Sequence, residues 1–314
     1  MTPSLALHQD LLLDHRRPRR GHTVDRRPPT DNSHLPRVAG YHLLHKVGEG
    51  RLARVYLAQD IDGAEVALKM LRPGHSGNAG RATAFAREFA IPAAIHNHHV
   101  VKVFEQLAVG GESAIAMEYL GGGHLGHRIA RQLAPDAAVT FLRQAATALE
   151  ALHRQGFAHG DVKPANLMLR SNGELVLVDF GTARPLAGSW TEATEAAGVV
   201  VGTPRYAAPE QSRPGPVVAA SDVYSLGVVF FEMLRGRPPF PGQSVLELHS
   251  QHLMAPVPRL PEALAGFQPL VDAMLAKQVD HRLPDAQAVL RQIDLPADAP
   301  VHPAPAGATV SAGD

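Results

Sequence analysis

Residues His159 to Asn166 read HGDVKPAN, which sets an acid (Asp161), a lysine (Lys163), a proline and a carboxamide (Asn166) within one short stretch. A second acid, Asp179, follows in the tripeptide DFG. Carboxylate and carboxamide oxygens are hard ligands suited to Mg2+, which keeps water and shares phosphate oxygens. A carboxylate beside them can accept a hydroxyl proton, and a lysine offers positive charge to a phosphate in flight. Phosphoryl transfer needs mainly positioning and charge neutralisation, and these residues supply both.

Two kinds of segment must position them. From Tyr41 the pattern is that of strands: 41–47, 54–58 and 65–71, with Asp62-Gly63 as a hairpin signal between the last two. Further strands are predicted near 101–108 and 113–119, completing an antiparallel sheet. Gly48-Glu49-Gly50 joins the first two strands, and glycine lets backbone N–H groups approach phosphate oxygens. Lys69 ends a strand of apolar neighbours (VALKM) and needs an anionic partner. Residues 80–91 carry helical spacing, with Phe85 and Phe89 on one side and Glu88 as the candidate partner of Lys69. Pro92 removes the N–H that would bond the Glu88 carbonyl, so it should kink or end that helix.

After Gly121-Gly122-Gly123 the period changes. Val139, Leu142, Ala145, Leu149 and Leu152 fall at three- and four-residue spacing, a helix face over 136–155. Pro135 suits its first turn and Gly156 its end. Residues 167–169 and 175–178 read as a short hairpin, with Asp179 just past it. A strand-rich small lobe thus precedes a helix-rich large one, and a cleft at the hinge between them is the expected ligand site.

Composition narrows the classes. The chain has 314 residues, 45% of them apolar, and a formal net charge of zero, so no global field steers it to nucleic acid or membrane. It has no cysteine, which excludes disulfides, thiolate metal sites and cysteine nucleophiles. No apolar run reaches the roughly 18–20 residues of a membrane helix, and the default is a soluble cytoplasmic protein. The 18 histidines are an oddity, and mild acid should make the surface cationic. His96, His98 and His99 are adjacent loop residues, read as structural or solvated rather than as metal ligands. Residues 1–37 are an arginine-rich tail and 296–314 a Pro/Ala-rich tail, both expected to be disordered. The folded part is 38–295, divided into 38–120 and 121–295.

In this order and spacing the motifs resemble those of bacterial eukaryotic-type (Hanks-type) serine/threonine protein kinases. They are VGEGRLARV, VALK ending at Lys69, Glu88, HGDVKPAN, DFG, GTPRYAAPE ending at Glu210, SDVYSLG with Asp222, and Arg282. The resemblance covers about 40–294. It implies an α+β, bilobal protein-kinase-like fold, with an antiparallel-sheet N-lobe bearing one helix and a larger, mainly helical C-lobe. It implies transfer of the ATP γ-phosphate to Ser/Thr hydroxyls of proteins, including autophosphorylation, with Mg2+ or in its place Mn2+. By resemblance Asp161 is the catalytic base, Lys163 contacts the γ-phosphate, and Asn166 and Asp179 bind metal. Nucleotide contacts fall at Val47, Gly48, Gly50, Val55, Ala67, Lys69, Glu88, Met117, Glu118, Leu120 and Met168, with Thr203 helping to orient the acceptor hydroxyl. Glu210 and Arg282 resemble a buried ion pair, and Asp222, beginning a helix over 222–235, resembles a cap on the catalytic loop. Pairing of two copies through the small lobe is also a family habit.

Three positions depart from the pattern. Gly160 stands where the family usually has the arginine that clamps a phosphate on the activation segment. This makes the chain a non-RD variant, whose activity should not depend strictly on phosphorylation at Ser189, Thr191 or Thr194. Pro92 should shorten its helix and loosen the Lys69–Glu88 pair. Ala53 replaces the third glycine of the loop, a small change. Two other readings share some of these residues. A small-molecule phosphotransferase also carries glycine before the aspartate, and a catalytically dead binding module keeps the fold without the chemistry.

Overall fold

The computed structural model describes residues 35–50, 52–74, 79–131, 133–186, 203–212 and 217–294. Ser189, Thr191, Thr194, residues 1–34 and the 296–314 tail lie outside the described residues, whereas Leu35, inside the stretch expected to be disordered, packs against the core of the first unit. The chain divides into two units: one takes it up to Phe89 together with Lys102–Tyr119, the other takes Ala90–Val101 and everything from Leu120.

The first unit is an antiparallel sheet with one helix. Strands β1 (His42–Glu49), β2 (Ala53–Gln59), β3 (Glu65–Leu71), β4 (Val103–Val109) and β5 (Glu112–Glu118) lie in the order β1-β2-β3-β5-β4. One face buries Leu43, Tyr56, Ala58, Leu68, Met70, Ala114 and Ala116. On the other, Leu71 and Ile115 pack with Phe85 and Phe89 of helix α1 (Ala79–Ala93). The hairpin before β3 is organised by Asp60, whose Oδ1 accepts from the N–H groups of Asp62 and Ala64 at 3.0 and 2.8 Å. Helix α1 runs through Pro92 and stops one residue later. Proline in a last turn removes only one terminal hydrogen bond, so the helix is not shortened ahead of Glu88.

The second unit is mainly helical. It holds α2 (Leu125–Ile129), α3 (Pro135–Arg154), α4 (Ala219–Arg235), α5 (Val245–Met254), α6 (Gln268–Met274) and α7 (Ala286–Asp294). Between α3 and α4 lie the short pairs β6 (Phe157–Ala158) with β9 (Arg184–Pro185) and β7 (Leu167–Leu169) with β8 (Leu175–Leu177). Helix α3 buries Leu142, Ala145, Leu149 and Leu152 as the spacing predicts, but Ala138 rather than Val139 is its buried residue at the start. Helix α4 is buried on every side from Ala220 to Phe231, as expected of a helix apolar all round. It begins at Ala219, so Asp222 sits in its first turn rather than at its start. Burying each of its Leu, Val and Phe side chains is worth about 1.5–3 kcal/mol. Gly227 lets α4 approach α6, since a Cβ there would lie 2.8 Å from the Met274 Cβ.

The stretch Ala90–Val101 groups with the second unit because its hydrogen bonds go there. Val101 N–H donates to the Leu177 carbonyl at 3.0 Å, and Leu177 N–H to the His99 carbonyl at 2.8 Å. His99 Nδ1 lies 2.8 Å from the Leu175 carbonyl and His98 Nε2 2.8 Å from Glu174 Oε2, so these histidines serve local structure. Among the glycines after β5, Gly122 is needed for close approach. Its N–H donates to Leu169 O at 2.9 Å, and a Cβ would fall 2.5 Å from the Arg170 carbonyl.

Candidate active site

The loop after β6 converges on Asp161. Its Oδ1 accepts from the N–H and hydroxyl of Thr203 at 3.0 and 3.1 Å. Its Oδ2 meets Lys163 Nζ at 2.7 Å and Asn166 Nδ2 at 3.2 Å. Lys163 Nζ also donates to Thr203 Oγ at 2.9 Å, closing a three-residue ring. A hydroxyl has one proton and two lone pairs, so Thr203 can serve both neighbours at once. Asn166 donates to the Asp161 main-chain carbonyl as well, at 2.8 Å.

The backbone of this loop is held from below by Asp222, which the resemblance cast as its cap, and by His153, His159 and Gln211, which sequence reasoning did not single out. His159 is fully buried, and its Nε2 lies 3.0 Å from the Val178 carbonyl. A carbonyl only accepts, so Nε2 carries the proton and Nδ1 accepts from the Asp161 N–H at 3.3 Å. Asp222 accepts from the His159 and Gly160 N–H groups at 2.7 and 2.8 Å and from His153 Nε2 at 3.0 Å. Burial alone would raise the Asp222 carboxyl, but His153 and the other donors outweigh it and hold it below the usual carboxylate range. The Gly160 carbonyl accepts from Gln211 Nε2 at 3.0 Å. Gly160 has φ +79°, a conformation that other residues adopt only under strain.

Asp179, just beyond β8, has φ 68° and is the one non-glycine residue with positive φ among the described residues. Such a conformation costs about 1–3 kcal/mol and clusters at functional sites. The following Phe180 is fully buried and stands edge-on to His159, with ring centroids 5.3 Å apart. Met168 lies on β7, and Leu120, 7% exposed, opens the second unit.

The remaining predicted residues sit in the sheet of the first unit. In the strand register Gly48 faces Val55, Val55 faces Lys69, and Ala67 faces Met117. Residues directly opposite share a face, as do residues two apart, so Val55, Ala67, Lys69 and Met117 lie on the face that carries α1. Lys69 and Glu88 form an ion pair, both side chains mostly buried. The pair that Pro92 was expected to loosen is therefore closed, because Glu88 lies a full turn before the proline. Val47 precedes the glycine loop on β1, and Glu118 ends β5, its Oε1 accepting from Lys102 N–H at 2.8 Å. Within the glycine loop, Glu49 is engaged by Lys46 at 2.5 Å, Arg54 at 3.0 Å and Arg72 at 3.6 Å. Hydrogen bonds from Lys46 and Arg54 hold its carboxyl down at about 2, so the loop is tied to its own hairpin at neutral pH.

Glu210 and Arg282 form the predicted ion pair, with contacts at 2.7 and 3.0 Å. Arg282 also donates to the carbonyls of Ala276, Ala220 and Lys277. Burial alone would raise the Glu210 carboxyl, but the Arg282 hydrogen bonds and charge outweigh it and hold it below normal.

Comparison with known proteins shows the family. The family described as protein kinase domain matches residues 41–292. The chain belongs to that family. It is 36% identical over 262 residues to a protein named serine/threonine-protein kinases drp72 of Corynebacterium efficiens, covering 81% of this chain and 50% of that one. It is 36% identical over 256 residues to PknA of Corynebacterium glutamicum, covering 79% and 54%. It is also 36% identical over 234 residues to serine/threonine-protein kinase PknL of Mycobacterium tuberculosis, covering 74% and 58%. The chain thus spans about half the length of the curated relatives it matches. No helix among the described residues is long and apolar enough to cross a membrane.

Proposed function

We propose that this chain is a serine/threonine protein kinase that transfers the γ-phosphate of ATP to Ser/Thr hydroxyls of proteins, its own included. The observation that carries the reading is the ring of Asp161, Lys163 and Thr203. An acceptor hydroxyl beside Asp161 gives its proton to the carboxylate while its oxygen bonds to the γ-phosphorus. The bond from that phosphorus to the bridging oxygen breaks, and ADP leaves. Lys163, already on Asp161 Oδ2, offers charge to the phosphoryl group in passage. Lys69, oriented by Glu88, takes the α- and β-phosphates, and the backbone at Gly48 and Gly50 covers them. On the first unit, Val47, Val55, Ala67 and Met117 are assigned to the purine, with the backbone at Glu118 assigned to its edge, and on the second unit Leu120 and Met168 are assigned to the same base. The printed names of the relatives support Ser/Thr as acceptor.

The residues present fit a bound magnesium ion. Asn166 spends its NH2 group on Asp161, which turns the carboxamide oxygen into the atom for a cation, and Asp179 adds a carboxylate. Two protein oxygens suit an ion that keeps water and phosphate oxygens for its other positions, and Mn2+ satisfies the same set. When bound, Mg2+ neutralises charge on the β- and γ-oxygens.

Labelled ATP offered with casein or myelin basic protein, and separately with choline or an aminoglycoside, tests the assignment. Label on the proteins is expected. Label on the small molecules alone would replace it with a small-molecule phosphotransferase.

Gly160 makes this a non-RD variant. The Gly160 N–H and carbonyl are held by Asp222 and Gln211 without any phosphate. Replacing Ser189, Thr191 and Thr194 together with alanine is therefore expected to lower activity by less than about a hundredfold, equivalent to ~2.7 kcal/mol. A greater loss in the transfer assay would restore the phosphate switch.

A further inference from the structure

Helix α5 carries a histidine that the chemistry above does not use. His252 is 2% exposed, and both its ring nitrogens are engaged. Nε2 lies 3.0 Å from the Arg205 main-chain carbonyl, and Nδ1 lies 2.9 Å from the Tyr224 hydroxyl on α4. Which nitrogen holds the proton follows from a third group. Lys277 Nζ lies 3.3 Å from the Tyr224 oxygen, and an ammonium can only donate. The Tyr224 oxygen accepts there, and its single proton goes to His252 Nδ1, the His252 carbonyl being farther at 3.4 Å. The neutral ring then has its proton on Nε2, aimed at the Arg205 carbonyl. Burial, helped by the Lys277 charge, pushes His252 down to about 4, so Nδ1 stays an acceptor at neutral pH.

Arg205 is two residues from Thr203, which gives both its N–H and its hydroxyl to Asp161. Tyr206 N–H donates to the Thr203 carbonyl at 2.9 Å, and its hydroxyl to Glu232 at 2.9 Å. Segment 203–206 is thus pinned at three successive points, and it forms the wall beside the Asp161 carboxylate.

We propose that His252 is a positioning residue for transfer to protein: through the Arg205 carbonyl it fixes the segment against which the accepting polypeptide lies. The inference rests on the kinase reading above. Its consequence is specific, because losing this bond should weaken use of the polypeptide and leave use of ATP intact.

The test compares His252→Leu with His252→Gln in the full chain, the glutamine amide keeping a donor for Arg205. In the leucine variant the KM for a Ser/Thr peptide is expected to rise about tenfold, the scale of one lost hydrogen bond. Its KM for ATP and its slow hydrolysis of ATP by water should stay within about twofold, a difference far below one hydrogen bond. The glutamine variant should recover most of the peptide KM. Amide hydrogen exchange across 203–206 should quicken in the leucine variant alone. An unchanged peptide KM, an equal fall in peptide transfer and ATP hydrolysis, or equal impairment of both variants would overturn the proposal. Were the unaltered protein to transfer no phosphate, the kinase reading would fall, and exchange alone would decide the pinning: unchanged rates at 203–206 overturn it, faster rates in the leucine variant only uphold it.

Discussion

Asp161→Asn is expected to lower phosphoryl transfer by about 10²–10⁴-fold, the usual contribution of a general base. The substitution is nearly isosteric, so the loop should keep its shape. One amide oxygen can still accept from Thr203, whose N–H and hydroxyl now share Oδ1. What disappears is the capacity to take a proton. The amide group would also face Lys163 Nζ, which now sits 2.7 Å from Oδ2, so the lysine loses its anionic partner. The loss should therefore appear mainly in kcat. Initial rates with labelled ATP at saturating peptide check it. Equal rates in the two proteins would mean that the chain binds nucleotide without performing the chemistry.

The second large effect is on stability. Glu210→Ala is expected to destabilise the second unit by about 3–5 kcal/mol, the range seen when one partner of a buried pair is removed. The asymmetry of the pair sets this cost. The Arg282 side chain is wholly buried while that of Glu210 is 21% exposed, so the arginine is the group that would be stranded. Its five N–H groups have five acceptors, two of them on Glu210, and lysine, with three donors, cannot reproduce the set. Arg282→Lys should fall in the same direction. Denaturant melts followed by circular dichroism measure both, and a loss under about 1 kcal/mol would show an expendable pair.

The pair also fixes a pH dependence. The folded-state pKa of Glu210 is below its unfolded value near 4.5, so its contribution is fully present above about that pH. It is lost as pH falls through the lower folded-state value, where protonation breaks the contacts with Arg282. Stability should decline on the acid side, and Glu210→Ala should flatten part of that decline.

Much of the site was legible because its residues are close in sequence. Asp161, Lys163 and Asn166 belong to one loop, and their types alone pointed to phosphate and metal chemistry. Lys69 and Glu88 were legible because a strand lysine in apolar surroundings demands an acid, and one lay on the next helix. Pro92 ends its helix as read, but it misled about the Lys69–Glu88 pair, since a proline in the last turn leaves Glu88 in place. Helices α5 to α7 were not singled out in the sequence, being only 10, 7 and 9 residues long. The histidines were read as a surface feature, yet His153, His159 and His252 are buried with both nitrogens engaged. A histidine's role depends on which distant carbonyl or carboxylate it meets, as His153 meets Asp222 across 69 positions. Periodicity carries no trace of such pairs.

The central claim is that Asp161 and the groups around it act on the terminal phosphate of ATP with a protein hydroxyl as acceptor. The most direct measurement incubates the chain with a Ser/Thr peptide and ATP labelled at either the γ- or the α-phosphate, with and without Mg2+. Label from the γ-position alone should appear as phosphoserine or phosphothreonine, only with the metal. Peptide left unlabelled by γ-labelled ATP in the presence of Mg2+, or labelled equally by the Asp161→Asn protein, would contradict it.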